Sequence, residues 1–452
     1  MTTDIAKLLE NDVRLHPALL GRSVLPFRYE RPKHIRIFEN IILQLTDREN
    51  QRYIIEIPPR HGKSIAFSIL LPAFFLMNHP DRKVILASYS WELASDFAFQ
   101  VRNILMGNGI LSLAKKSESK VITREGGGLF AAGVGGSITG KGAHLLILDD
   151  PVKNLEEAES PTIREKVWKW FGAVFLTRAE PGANIVVIQT RWHKDDLSGR
   201  LLREQPGEWN EVKMKAISDG KDDILKRKKG EPLWGERFPK DVLLKRKRDI
   251  GTYLFSALYQ QEPISSELSI FRREWFQFTE KPPRRFDRLV RYWDLASTKN
   301  AGDWTAGALV GEKDGITYVL DVRRKQGTPY DIERFVKHTA MEDGRNTEIY
   351  FEQEPGAGSR SLIDAYRRSV LFGYYVRADR KNVSKEYRAR LASPSVEAGN
   401  VFLVRASWNR MFLDEIEAFP EGKHDDMVDA FTGAFFYAAK PVKEISEKPK
   451  GV

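Results

Sequence analysis

The chain has no cysteine among its 452 residues, which excludes disulfides and cysteine-bound zinc or iron–sulfur centres. Any metal must therefore sit on oxygen or histidine ligands. The sequence also lacks a run of about 18 or more uncharged apolar residues, so no membrane-spanning helix is expected. The first 25 residues lack the charged-then-apolar order of a signal peptide, and the protein is expected to be soluble and intracellular. No internal repeat is evident, and low complexity is confined to the Lys-rich stretch after Ala439, where residues 441–452 are expected to form a flexible tail. Acidic residues are outnumbered, with Asp+Glu at 62 against Lys+Arg at 72 and a formal charge of +10, which favours a polyanionic partner.

What is present begins with Pro58-Pro59-Arg60-His61-Gly62-Lys63-Ser64. Upstream, Tyr53 to Ile57 reads as a strand; downstream, Ile65 to Met77 is apolar enough for a buried helix. Strand, tight loop and helix form the context of a phosphate-binding loop. Gly62 lets backbone N–H groups approach phosphates, Lys63 offsets their charge, Ser64 offers a hydroxyl to Mg²⁺, and the helix start adds a positive dipole end. The usual pattern places a glycine five residues before Gly62, where this chain has Ile57. The alternative is a chance Gly-Lys-Ser in a turn.

A second motif weighs against chance. Leu145 to Leu148 is an apolar run ending in Asp149 and Asp150, as expected of a buried parallel strand whose C-terminal end faces a ligand. Asp149 is the candidate for the Mg²⁺ shell and Asp150 for orienting the attacking water. Between the motifs, Val84 to Ser88 reads as strand and Trp91 to Leu105 as helix. With Asn184 to Ile188 as a fourth strand, the first half alternates strand and helix as a doubly wound, mostly parallel α/β sheet does. Ser160-Pro161 starts a further helix, with Ser160 as N-cap.

The length suggests two domains, with a boundary after residue 262. Residues 218–248 are charge-rich and broken by Gly and Pro, suggesting a surface insertion or small linker domain. Basic clusters at Lys226 to Lys229, Lys245 to Arg248, Arg284-Arg285, Arg323 to Lys325 and Arg377 to Lys381 are either solvated faces or, taken together, a nucleic-acid surface.

The second half carries its own acids. Leu289 to Asp294 reads as a strand, Gly302 to Ala306 opens the next as in a hairpin, and Glu348 to Glu352 is another strand with Glu352 among apolar neighbours. His424-Asp425-Asp426-Met427-Val428-Asp429-Ala430 begins a helix in which Asp426 and Asp429 share a face. Carboxylates converging from strands and a helix repel one another, and a divalent cation keeps them ionised. Two Mg²⁺ or Mn²⁺ ions about 4 Å apart would serve phosphodiester cleavage. The competing explanation, acids complementing a helix dipole, accounts for one of Asp425 and Asp426 but poorly for Asp294 or Glu352.

Taken in order, the phosphate loop, the Asp149-Asp150-Pro151 motif, Gln189-Thr190-Arg191-Trp192-His193 and the closing His-Asp-Asp-Met-Val-Asp-Ala make the chain resemble the large subunit of tailed-phage terminases over residues 25–439. The resemblance implies an additional-strand P-loop ATPase over residues 1–262, with about 210–262 as lid or linker, and a ribonuclease H-like nuclease over 263–440. Its implied activity is ATP-driven packaging of duplex DNA into a procapsid, with cleavage of concatemers. Implied partners are DNA, a small terminase subunit and the portal, on which the large subunit forms a homo-oligomeric ring in the host cytoplasm.

Residue by residue, the resemblance places Arg60, His61, Gly62, Lys63, Ser64 and Asp149 at the nucleotide, with Arg60 also a contact to it. Gln189 and Thr190 match the segment that couples the γ-phosphate to movement, and Arg191 is either part of it or a plain surface or salt-bridge arginine. The cation that stabilises the transferred phosphoryl group is open between Lys141, Arg124 and Arg60. Phe27, Tyr29 and His34 lie where relatives recognise adenine, without the usual glutamine. Asp294, Glu352 and Asp429 match the nuclease triad best, with Asp426 as a further ligand or the third acid itself, Asp303 as an auxiliary acid and His424 as a capping or outer residue. Rival readings are a helicase-like or repair ATPase fused to a nuclease and acting without a capsid, and a non-catalytic DNA-binding packaging component.

Overall fold

Near-continuous apolar runs become parallel strands buried on both faces, and this decides the architecture of the first half. The computed structural model describes residues 14–25, 30–107, 113–116, 120–138, 140–263, 270–295, 304–353, 357–380 and 383–439. The chain divides into two units, Met1–Ile264 and Ser265–Val452. Among the described residues no helix is long and apolar enough to cross a membrane.

The first unit is built on eight strands: β1 (Arg52–Glu56), β2 (Lys83–Ser88), β3 (Leu113–Lys116), β4 (Lys120–Thr123), β5 (Gly128–Gly133), β6 (Ala143–Asp149), β7 (Ala179–Gln189) and β8 (Asn210–Lys213). Their order is β3-β4-β5-β2-β6-β7-β1-β8, parallel from β5 to β8 and antiparallel through β3, β4 and β5. Side chains alternate between two cores. Ile55, Leu86, Leu145, Ile147 and Val186 face one side; Ile54, Ile85, Leu146, Leu148 and Val187 face the other. The expected strands are present, and β8 and the short antiparallel edge are additional.

The segment after the phosphate loop winds as a π-helical turn, Ile65–Leu70, before the α-helix Leu71–Asn78. Ser160 caps the helix Pro161–Trp170 by accepting from the Ile163 amide. The charge-rich stretch around 218–248 is less superficial than its composition suggests. Leu233 and Trp234 are buried, Leu233 in the core of the sheet, and Arg227 is buried with its guanidinium on Asp223 and the Lys215 carbonyl. From Lys240 the chain becomes a helix to Leu258, broken at Gly251, whose φ of +77° suits glycine.

The second unit has seven strands: β9 (Gln277–Thr279), β10 (Arg288–Asp294), β11 (Thr305–Lys313), β12 (Ile316–Lys325), β13 (Glu348–Gln353), β14 (Tyr375–Arg380) and β15 (Val401–Val404), ordered β14-β13-β10-β11-β12-β15-β9. β10, β11 and β12 form an antiparallel meander, and β13 and β14 add parallel to β10. The apolar helix Asp426–Ala438 lies against β10 and β11 so closely that a Cβ at Gly433 would come within 2.6 Å of the Tyr292 ring. Within the basic clusters, Arg323 pairs with Asp321 and Glu342, and Arg324 with Glu415, so these two guanidiniums serve the fold rather than an open surface.

Candidate functional site

In the first unit the phosphate loop leaves β1 and turns back under two positive φ angles, +65° at Arg60 and +90° at Gly62. The loop opens on a cavity of about 1040 Å³ lined by Arg60, Gly62, Lys63, Ser64 and Asp150, and by Trp234 and Arg237 from the charge-rich stretch. Lys63 is buried, and its ammonium donates to both Asp150 carboxylate oxygens at 2.5 Å and to Thr190 Oγ1 at 2.8 Å. Asp150 also accepts from the Thr190 amide at 3.0 Å. The ends of β1, β6 and β7 are adjacent in register, so three motifs distant in sequence meet at one sheet edge.

Asp149 is buried at the end of β6 and accepts from Ser68 Oγ at 2.6 Å, while its other oxygen, Oδ1, is buried without a hydrogen-bond partner. Burial and the neighbouring Asp150 push its carboxyl up to about 6, against the pull of Lys63. An orphaned carboxylate oxygen beside the Ser64 and Lys63 cradle fits a hard cation carried by a triphosphate. Ser64 lines the cavity. The hydroxyl 2.6 Å from Asp149 is that of Ser68, one helical turn further on.

The side chain of His61 does not line this cavity. Its ring lies under the loop, with Nδ1 2.9 Å from the Pro59 carbonyl and a stacked contact to Phe238 at 4.7 Å. His34, a candidate for base recognition, is likewise buried, with Nε2 3.1 Å from the His61 carbonyl and its ring edge-on to Trp234. Burial lowers both imidazoles, to about 3 for His34 and about 4 for His61. Phe27, Tyr29 and Asp303 lie outside the described residues. Gln189 is buried at the end of β7. Arg191 is no surface residue: its guanidinium is buried between Glu56 and Asp196, at 2.8 Å from each. Among the cations considered for the phosphoryl group, Arg60 is exposed at the cavity, Lys141 sits 3.7 Å over the Phe130 ring, and Arg124 is in the exposed turn after β4.

In the second unit the acids gather at the carboxyl ends of three adjacent parallel strands. Trp293 on β10 is paired with Phe351 on β13, which places Asp294 and Glu352 at neighbouring positions, and Glu352 is paired with Asp379 on β14. The helix Asp426–Ala438 brings Asp429, fully buried, onto the same group, with Asp426 half-buried in its first turn. Burial, then the charges on Glu352 and Asp429, hold the Asp294 carboxyl well above the usual carboxylate range. Burial also raises Asp429 to about 6, although Lys385 and Arg388 pull it down. An all-oxygen donor set with surplus negative charge fits a hard divalent cation. Among the described residues, however, no three acidic or histidine side chains stand in metal-binding arrangement. Two basic side chains stand among these acids: Lys385 contacts Asp429 and Asp425, and Arg388 contacts Glu352 at 2.9 Å and Asp429 at 3.5 Å.

Residues 54–278 match the terminase large subunit family, T4likevirus-type, N-terminal part, and residues 291–438 match the terminase RNaseH-like domain. The chain belongs to the large terminases. A large terminase from a thermophilic bacteriophage has the same fold, with a TM-score of 0.52 at 11% identity over 89% of this chain and 98% of that one. A second structure of that phage terminase, in complex with ATP-gamma-S, gives 0.50 at 12% identity over 90% and 98%. At such identities the likeness is one of fold. No curated protein matches the chain.

Several polar residues around the terminase sites escape sequence reading. Tyr292 donates to Asp379 at 2.7 Å and accepts from Arg388 at 2.9 Å, and Tyr437 donates to the other Asp379 oxygen at 2.5 Å. Glu415 accepts from the Met427 amide at 2.6 Å and from Val428 at 3.4 Å, fixing the start of the helix that carries Asp426 and Asp429. The Arg191 amide donates to Gln261, also buried, at 3.1 Å. Register could have revealed Asp379, since β14 follows β13 in parallel; nothing local marks Arg388 or Gln261.

Proposed function

We propose that this large terminase is the motor and nuclease of viral DNA packaging, hydrolysing ATP to move duplex DNA into a procapsid and cutting concatemers. The observation that carries the motor reading is the hydrogen-bonded convergence of Lys63, Asp150 and Thr190, from three separate motifs, beside the cavity that Lys63 and Asp150 line. We assign ATP to that cavity, in keeping with the phage terminase crystallised with ATP-gamma-S. Lys63 holds the phosphates, Ser64 and Asp149 hold Mg²⁺, Asp150 aligns and takes a proton from the attacking water, and Arg60 contacts the nucleotide. When bound, Mg²⁺ neutralises charge on the phosphates. Gln189 and Thr190 report the γ-phosphate to the rest of the unit: once phosphates take the Lys63 ammonium, its bond to Thr190 is released.

Cleavage falls to Asp294, Glu352 and Asp429, with Asp426 and Asp303 as further ligands of two Mg²⁺ or Mn²⁺ ions, which would activate water and stabilise the leaving oxygen. Of the two candidates for third acid, Asp429 is the one buried among the others and Asp426 is at the rim. We assign ATP hydrolysis to residues 1–262, with 210–262 as a lid, and cleavage to 263–440. The lid assignment is supported by Trp234 and Arg237 in the cavity wall. A small terminase subunit, the portal and a homo-oligomeric ring on it complete the proposed assembly, in the host cytoplasm. Phosphate contacts without base reading predict DNA binding that weakens steeply with salt.

The test is packaging in vitro. With procapsids, small subunit and concatemeric DNA, ATP should yield nuclease-protected DNA, which the protein lacking Lys63 should not. Strand separation of naked DNA without procapsids would favour the helicase-like reading instead.

A further inference from the structure

The acid cluster of the second unit is met by two cations from one helix, Lys385–Glu397, whose first turn is capped by Ser384 accepting from the Tyr387 amide. Lys385 and Arg388 are three residues apart and therefore look in the same direction. Their attachments differ. Arg388 has a side chain only 3% exposed, and besides its carboxylates it donates to the Tyr292 hydroxyl at 2.9 Å. Withdrawing it would take the charged donor away from the buried Tyr292 hydroxyl and from Glu352, a costly change. Lys385 is 29% exposed, and the contacts of its ammonium are with Asp429 and, at 3.0 Å, with Asp425, itself 38% exposed. One cation is built in; the other has a way out.

Asp429 is the acid that the helix brings onto the acids of the strands, and its negative charge is balanced by Lys385. A divalent ion and an ammonium cannot share one buried carboxylate without strong repulsion in a medium of low effective dielectric. We propose that Lys385 is a resident counter-charge of the acid cluster, competing with a divalent cation for Asp429 and withdrawing toward Asp425 and solvent when the cation binds. Arg388 stays and positions Glu352. In this way the acids remain packed together without metal, and metal affinity is set below what the carboxylates alone would give. This inference rests on the nuclease reading above, since it presumes that Asp294, Glu352 and Asp429 bind the cation.

The experiment is calorimetric and EPR titration of Mn²⁺ into the full chain, for wild type, Lys385→Met, Lys385→Gln, Lys385→Arg and Asp294→Asn. Removing the charge should tighten Mn²⁺ binding by about tenfold or more, while Lys385→Arg stays near wild type. The metal-free Met and Gln variants should melt earlier than wild type, and Mn²⁺ should raise their melting temperature by more. Unchanged or weaker Mn²⁺ binding by folded Lys385→Met or Lys385→Gln would overturn the proposal, because the lysine would then organise the site rather than compete for it. If Asp294→Asn binds Mn²⁺ as wild type does, the nuclease reading itself fails and this inference falls with it.

Discussion

Replacing Arg191 by methionine removes a buried guanidinium while roughly keeping its volume. Glu56, at the end of β1, and Asp196, which caps the helix Leu197–Glu204 through the Gly199 amide, would each lose a charged partner at 2.8 Å. Breaking a buried ion pair by deleting one member costs about 3–5 kcal/mol, because the other charge is left without compensation. Burial already pushes Glu56 up to about 7, even with Arg191 drawing it down. Without Arg191 it rises further, and Glu56 stays protonated at pH values where wild type ionises it. The sign follows. Below about pH 7 the residue is neutral in both proteins and their difference is constant; above it wild type gains the ion pair and the variant does not. The gap should widen by about 1.4 kcal/mol per pH unit between pH 7 and 8.5. The assay is amide exchange of Ile54, Ile55 and Val187, core positions of β1 and β7, since a chain of two units need not unfold in one step. Glu56→Gln added to Arg191→Met should recover about half of the loss, by removing the stranded acid. A single variant within about 1 kcal/mol of wild type, or no recovery in the double, would refute this reasoning.

Three further outcomes are expected. Gly62→Ala places a side chain at φ +90° with its Cβ 2.9 Å from Ile35 Cδ1, so ATP-gamma-S binding should weaken at least about tenfold and stability should fall by about 1–2 kcal/mol. His61 is held neutral in the fold down to about pH 4, whereas an unfolded histidine takes a proton near 6.5. Its stabilising contribution is therefore present above pH 6.5 and is lost on acidification, and wild type should lose about 2 kcal/mol relative to His61→Asn between pH 7 and 5 by denaturant titration at each pH. Glu415→Ala strands the Met427 and Val428 amides at the start of the helix bearing Asp429, costing about 1–2 kcal/mol in thermal unfolding and lowering Mn²⁺-dependent plasmid cutting with ATPase unchanged.

Much of this was readable because fully buried parallel strands leave near-continuous apolar runs, as in Leu145 to Leu148 and Ile185 to Ile188, and because a phosphate loop needs Gly62, Lys63 and Ser64 consecutively. The short edge strands β3, β4 and β8 leave weak patterns, since pairing rather than propensity makes them strands. His61 has no mark in sequence to separate a nucleotide ligand from a buried strut. Only the aromatic floor of Trp234 and Phe238, contributed by a stretch whose composition reads as surface, decides its position. Lys385 and Arg388 belong to an ordinary charged helix, and their role follows from which face the fold turns inward. A wholly local reading cannot supply that.

The most direct measurement runs ATP hydrolysis and Mn²⁺-dependent plasmid cleavage side by side on Lys63→Ala and Asp294→Asn. Lys63→Ala should lose ATP turnover and keep cutting naked plasmid, and Asp294→Asn should do the reverse. Retained ATP hydrolysis by folded Lys63→Ala, or retained cleavage by Asp294→Asn, would contradict the assignment of one chemistry to each unit.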